Sequence, residues 1–154
     1  MKRFFMIFAV AVAAMALLSC EKYEDGKPAK DVRSEFKKMY PDAKDVEWEG
    51  RGGYWIVSFE TGTPPNEVDR EAWYDQKGEW VKTETDILAN ALPESVKDAI
   101  AGSEYASAVI DGDDVVYVET PSGNYYRLEL KVGGLDVYID VTEDGKISIS
   151  DIGF

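Results

Sequence analysis

The chain has 154 residues, with 30 acidic against 17 basic side chains and no histidine. Negative charge in that excess repels phosphate backbones and excludes nucleic acid as a partner, and it disfavours direct adhesion to anionic headgroups. With no histidine and a single cysteine, the usual nucleophile and base pairs and the common zinc sites are missing as well.

The N-terminus reads as a secretory leader. Lys2 and Arg3 precede an uncharged run from Phe4 to Leu18, which is shorter than the roughly 20 residues a spanning helix needs. The run ends in Leu17-Leu18-Ser19-Cys20, which resembles the bacterial lipobox. The resemblance implies cleavage after Ser19, so that residues 1–19 are a signal peptide, and acylation of Cys20 as the lipidated first residue. The only thiol of an exported chain is then accounted for without a disulfide, and the acyl chains make a membrane the first partner. Loss of Lys2 and Arg3 leaves 15 basic residues against 30 acidic ones in a mature chain of 135.

Residues 20–30 are charged, contain Gly26 and Pro28 and lack apolar periodicity, which predicts a flexible lipidated tether. Glu21, Glu24 and Asp25 resemble the acidic export tag of surface lipoproteins, a composition that a solvated linker shares. The expected location is the cell envelope, lipid-anchored at the outer membrane on its periplasmic side or at the cell surface.

From Asp31 the pattern is one motif used twice, within a single domain 31–154 of two copies, 31–85 and 86–154. The first copy opens with a helix over Asp31 to Tyr40, with Val32, Phe36, Met39 and Tyr40 on one face and Pro41 as its stop. Strands are expected at Val46 to Glu49, Tyr54 to Glu60, Glu71 to Asp75 and Trp80 to Thr85, divided by glycine-rich and proline-rich turns. The second copy has a short turn over Asp86 to Leu92 and a helix starting at Leu92-Pro93-Glu94-Ser95 and ending near Gly102. Strands at Ala108 to Asp111, Val115 to Thr120, Tyr125 to Val132, Leu135 to Val141 and Lys146 to Ser150 follow. Gly53-Tyr54-Trp55-Ile56-Val57-Ser58-Phe59 aligns with Asn124-Tyr125-Tyr126-Arg127-Leu128-Glu129-Leu130, and Asp75 to Trp80 aligns with Thr142 to Ile147. A unit of roughly 60 residues buries too little surface to be secure alone. The economical arrangement is α+β: a tandem repeat of helix plus antiparallel strands in one continuous sheet, with the helices packed on one face.

Tyr40-Pro41-x-Ala43-x-x-Val46-x-Trp48, Gly53-Tyr54-Trp55-x-Val57-x-Phe59, Ala72-Trp73-Tyr74-Asp75-x-x-Gly78-x-Trp80 and the Leu92-Pro93 helix start together resemble the PepSY-like, β-lactamase-inhibitor-like envelope lipoproteins of Bacteroidetes. The resemblance covers nearly all of the mature chain. It implies the same tandem fold, with the sheet face opposite the helices open, and protein binding or inhibition through that face.

Strand alternation divides the two faces. Trp55, Val57, Phe59, Ala72, Tyr74 and Trp80 point inward in the first copy; in the second, Tyr126, Leu128, Leu130, Val132, Val137, Ile139, Val141, Ile147 and Ile149 do. Outward lie Tyr54, Ile56, Ser58, Trp73 and Asp75, then Tyr125, Arg127, Glu129, Lys131, Asp136, Tyr138, Asp140, Lys146 and Ser148. Tyr54, Trp73, Tyr125, Arg127 and Tyr138 are therefore the expected binding residues, because rings and an arginine among polar groups make a hot spot. Equally, cross-strand rings stabilise an open sheet without any ligand.

The ligand class stays open between an extracytoplasmic protein and a carbohydrate or other envelope polymer, with a carboxylate-based hydrolase the remote third reading. The chain is expected to be no enzyme and to need no cofactor. Asp111-Gly112-Asp113-Asp114 and the Asp140 to Gly145 turn do not follow the calcium-loop spacing and read as hairpin chemistry, so no metal is expected.

Overall fold

The computed structural model describes residues 21–150, with backbone alone for 111–114; the leader and Cys20 lie outside the described residues. One sheet of nine strands runs in chain order, β1 (Lys22–Tyr23), β2 (Lys44–Arg51), β3 (Tyr54–Thr61), β4 (Val68–Asp75), β5 (Trp80–Ile87), β6 (Val109–Glu119), β7 (Tyr125–Val132), β8 (Leu135–Thr142) and β9 (Ile147–Ile149). Every neighbouring pair is antiparallel except β1 on β2. The fold is α+β, as expected: the two copies meet along β5 and β6, where Thr83 to Ile87 pairs with Glu119 to Val115.

Helix α1 (Lys30–Met39) and helix α2 (Glu94–Ala101) cover the same face, and a short 3-10 turn at Ala89–Ala91 leads into α2. In α1, Val32 and Phe36 stand one turn apart and are buried on Val46, Trp48, Val57, Phe59, Ala72 and Tyr74. The Phe36 ring meets Trp48 and Phe59 edge-on, at 5.4 and 5.0 Å between centroids. In α2, Val96 and Ile100 do the same against Leu92, Val115, Leu128, Leu130, Ile139 and Val141. At the seam the buried Thr83 hydroxyl is within hydrogen-bond distance of the Tyr40 hydroxyl at 2.6 Å and accepts the Trp80 indole N–H at 2.9 Å.

The two hairpins next to the helices show the repeat in three dimensions. Asp75 Oδ1 accepts the backbone N–H of Lys77 and Glu79 in the β4–β5 turn; Thr142 Oγ1 accepts that of Lys146 in the β8–β9 turn. Gly78 and Gly145 hold the matching positions at φ 87° and 83°. A Cβ on Gly78 would come within 3.3 Å of Val32 in α1, and one on Gly145 within 3.2 Å of Ala99 in α2. Each glycine is needed both for its left-handed backbone and for the close approach of its copy's own helix.

Several boundaries differ from the expectation. The stretch read as a flexible tether is partly built in: Lys22 and Tyr23 add a parallel strand to β2, and Glu24 N–H donates to the Trp48 carbonyl at 3.0 Å. The two strands expected around residues 108–120 are one strand, β6, with a register break between Ile110 and Val115. Ile149, expected in the core, is 76% exposed, because β9 is a three-residue edge strand; its side chain is on the helix face, beside Ile139, yet stays in solvent.

Candidate functional site

The helix-free face carries a lattice of charges and rings laid over a few apolar side chains. Cross-strand partners share a face, so the register places Glu49, Ile56, Trp73 and Lys82 in one row and Glu47, Ser58, Glu71, Glu84, Val118, Tyr125 and Thr142 in the next. A third row holds Asp86, Val116, Arg127, Asp140 and Ser148.

Trp73 and Ile56 have the facing that alternation assigned, yet they are not surface groups. Trp73 is 7% exposed, Ile56 1% and Val118 0%. Longer neighbours cover Trp73. Lys82 Nζ stands 4.1 Å from the centre of the Trp73 ring, the Arg51 guanidinium 5.4 Å from it, and the Tyr54 ring 5.8 Å away. The Trp73 indole N–H donates to Glu71 at 2.8 Å, so its one polar atom is satisfied under that cover. Trp73 is thus a buried support of the face rather than an exposed anchor, and this corrects the sequence-based expectation.

The charges form a chain across the strands. Lys82 pairs with Glu84 at 2.7 Å, Glu84 lies 3.9 Å from Arg127, and Arg127 grips Asp140 through two donors at 2.8 and 3.1 Å. The second of these donors, Nη2, also reaches the Tyr125 hydroxyl at 3.3 Å. Two positions along, Tyr138 donates to Glu129 at 2.7 Å, and Lys131 bridges Glu129 and Asp136 at 2.6 and 2.5 Å. Hydrogen bonding to Asp140 holds the Arg127 guanidinium firmly charged, against the opposing effect of burial. Hydrogen bonds from Lys131 and Tyr138 keep the Glu129 carboxyl below its usual range.

Glu71 is the exception. It faces Glu84 directly across the β4–β5 pair, and burial, with help from Glu84, pushes its carboxyl up; the Trp73 N–H, Arg51 and Lys82 act the other way. A carboxyl whose pKa is raised by folding contributes stability below its unfolded pKa and loses it as pH rises through the folded one. Glu71→Gln, which keeps an oxygen for the indole N–H and removes the like charge, is expected to raise the melting temperature at pH 7. The gain should vanish once the pH falls below the ordinary carboxylate range. Parallel melts at several pH values check this; an equal gain at acid pH would remove Glu71 ionisation as its cause.

The five expected residues do not make one patch. Tyr54 and Trp73 touch, Tyr125 and Arg127 touch, and Tyr138 bonds with Glu129. Between the first two groups run Lys82 and Glu84, which alternation assigned to no site because the partnership of β5 with both β4 and β6 is not written in either strand. Glu71 and Arg51 went unnoticed for the same reason. Beside Tyr125, an open depression of about 620 Å³ is bordered by Val81, Thr142 and the Thr120 to Asn124 turn. Among the described residues no group of acidic side chains is placed to hold a metal ion, and no helix is long and apolar enough to cross a membrane.

Comparison with solved structures places the chain in known company. It is 27% identical to a BLIP-like protein from Bacteroides fragilis NCTC 9343, covering 82% of this chain and 87% of that one with a TM-score of 0.71. A DUF2874 family protein from Bacteroides uniformis ATCC 8492 is 29% identical over 79% and 86% of the two chains, TM-score 0.67. A structure from Bacteroides eggerthii DSM 20697, described as "putative periplasmic proteins", is 25% identical over 79% and 86%, TM-score 0.66. No curated protein matches the chain. The family described as "Putative beta-lactamase-inhibitor-like, PepSY-like" matches residues 53–148, which hold the second half of the first copy and most of the second. With its tandem sheet, its two helices on one face and that match, the chain belongs to the PepSY-like, β-lactamase-inhibitor-like family.

Proposed function

We propose that the mature protein is a non-catalytic lipoprotein, acylated on Cys20 and exposed to the periplasm or the cell surface, that binds an extracytoplasmic protein through the helix-free face of its sheet. The observation that carries this reading is the face itself. Among the described residues no helix lies over it, yet Arg127, Tyr125 and Tyr138 are held by hydrogen bonds to neighbouring strands and Tyr54 packs on the buried Trp73, and side chains already held lose little entropy on binding. The family description and the BLIP-like relative support an inhibitor-like or other protein-binding role over catalysis. Glu71 and Glu84 face each other, but each is engaged by a donor, Glu71 by the Trp73 indole N–H and Glu84 by Lys82 with Arg127 beside it, which favours a binding role over paired-carboxylate hydrolysis.

A second reading has one specific observation behind it. The depression beside Tyr125 sets one ring among Thr120, Ser122, Asn124 and Thr142, and a ring flanked by hydroxyl and amide groups also suits a sugar.

The test is affinity capture from an envelope extract with the wild type and with Tyr54→Ala, Tyr125→Ala and Lys97→Ala, the last on α2 of the opposite face, each checked by melting. A protein partner lost by the two tyrosine variants, by on the order of 2 kcal/mol of binding, and kept by Lys97→Ala supports the face. Capture unchanged in both tyrosine variants overturns it. Retention by an envelope polysaccharide column that depends on Tyr125 alone would replace it with the second reading.

A further inference from the structure

Charge is arranged differently on the two halves of the helix-free face. In the second copy opposite charges stand across from each other, Arg127 from Asp140 and Lys131 from Asp136. At the outer strands of the first copy Lys22 faces Glu47 and Lys44 faces Glu60. Further in, the pattern reverses: Glu60 faces Asp69 across β3 and β4, and Glu71 faces Glu84 across β4 and β5. Asp69 and Glu71 are two positions apart on β4, so both like-charged pairs lie on one side of the sheet, and Asp86, two positions after Glu84, extends them. No other pair in the register of the described strands joins like charges.

Like charges directly opposite destabilise a strand pair, so this strip works against the fold. Burial and the carboxylates of Asp45, Asp69 and Glu67 push the Glu60 carboxyl up, with Lys44 acting the other way. Lys44 itself donates to the Gly62 carbonyl and lies 3.9 Å from Glu67. Among the described residues no cation stands within ion-pair distance of Glu60 or Asp69. The strip is also continuous with the expected binding residues, because the row of Glu71 and Glu84 runs on through Val118 to Tyr125. A protein that covers both Tyr54 and Tyr125 therefore covers or borders these carboxylates. Taking a carboxylate out of water is costly unless a cation meets it.

We infer that the protein recognised by this face is basic where it meets β3 to β5, and that its lysine or arginine side chains lie against Glu60, Asp69 and the Glu71–Glu84 pair while its apolar part packs on Tyr54 and Tyr125. This rests on the helix-free face being the binding surface. The repulsion stored in the free protein is relieved only when those cations arrive. A neutral or acidic surface of the same shape would strand the carboxylates, so the strip selects among partners as well as attracting one.

The experiment uses the full lipidated protein in neutral detergent. A lysine hexapeptide is expected to shift backbone amide resonances in β3, β4 and β5 around Glu60, Asp69 and Glu84, and to leave those of Glu94 and Asp98, exposed carboxylates on α2, in place. Shifts spread evenly over both sites, or absent from β3 to β5, overturn the basic contact. Glu60→Gln with Asp69→Asn removes repulsion, so it should melt no lower than the wild type. In the envelope capture this variant is expected to retain the protein that depends on Tyr54 and Tyr125 about tenfold less well at low salt. Glu94→Gln with Asp98→Asn, an equal change of charge on the other face, is expected to retain it fully. A partner that needs the two tyrosines but is indifferent to Glu60 and Asp69 overturns the basic contact and leaves the binding face standing. Equal loss in both double variants overturns the contact in favour of net charge, and a capture that needs neither tyrosine overturns the face itself.

Discussion

Trp73→Ala is expected to destabilise the domain by about 3 to 5 kcal/mol, the range for removing a buried large ring, although the residue lies on the sheet face that no helix covers. The ring is 93% removed from solvent, contacts Tyr54, lies under Lys82 and Arg51, and has its N–H paired with Glu71. Its loss leaves Ile56, its cross-strand partner, exposed and Glu71 without its donor. Lys82→Ala removes a partly exposed cation that lies over the ring and pairs with Glu84, so a much smaller effect, at most about 1 to 2 kcal/mol, is expected. Urea melts of the two variants check this. A cost below about 1 kcal/mol for Trp73→Ala would mean that the ring is not covered, and Trp73 would return to the list of candidate anchors.

Separating the two copies is expected to abolish folding altogether. Fragments 21–88 and 89–154, produced singly, would each expose the backbone edge left where Thr83 to Ile87 pairs with Glu119 to Val115. Each would keep one helix and one core of eight buried side chains, which is marginal for a unit of that size. Neither fragment should melt cooperatively, and both should be prone to edge-to-edge association. A cooperative transition in either one, seen by circular dichroism in dilute solution, would show two autonomous domains instead of one.

Much of the fold is legible along the chain because its signals are local. Val32 and Phe36 at helical spacing before Pro41, and Val96 and Ile100 after Pro93, identify the two helices and their buried sides. Alternation in Tyr125 to Val132 and Leu135 to Thr142 identifies the strands and, through the Gly133-Gly134 turn, their pairing. The facing of all five expected binding residues also follows from alternation, since a strand's period of two fixes which side each residue takes.

Facing is not exposure, and here the sequence stops. Ile56 and Trp73 face away from the helices and are buried nonetheless; over Trp73, Arg51 of β2 and Lys82 of β5 close the surface. Ile149 faces the helices and is exposed, because it stands on the last, three-residue strand of the sheet. Glu21 to Tyr23 have the composition of a linker, yet they are docked, because Lys37 and the free edge of β2 happen to lie within reach. The sequence by itself determined the helices, the strands, the repeat and the side of the sheet each residue takes, since these depend on neighbours a few positions apart. The tertiary structure alone decided what is covered, what is paired across the two copies and that Glu21 to Tyr23 are docked on the domain. Those depend on long side chains contributed by strands far apart in the chain, and no local period encodes their meeting.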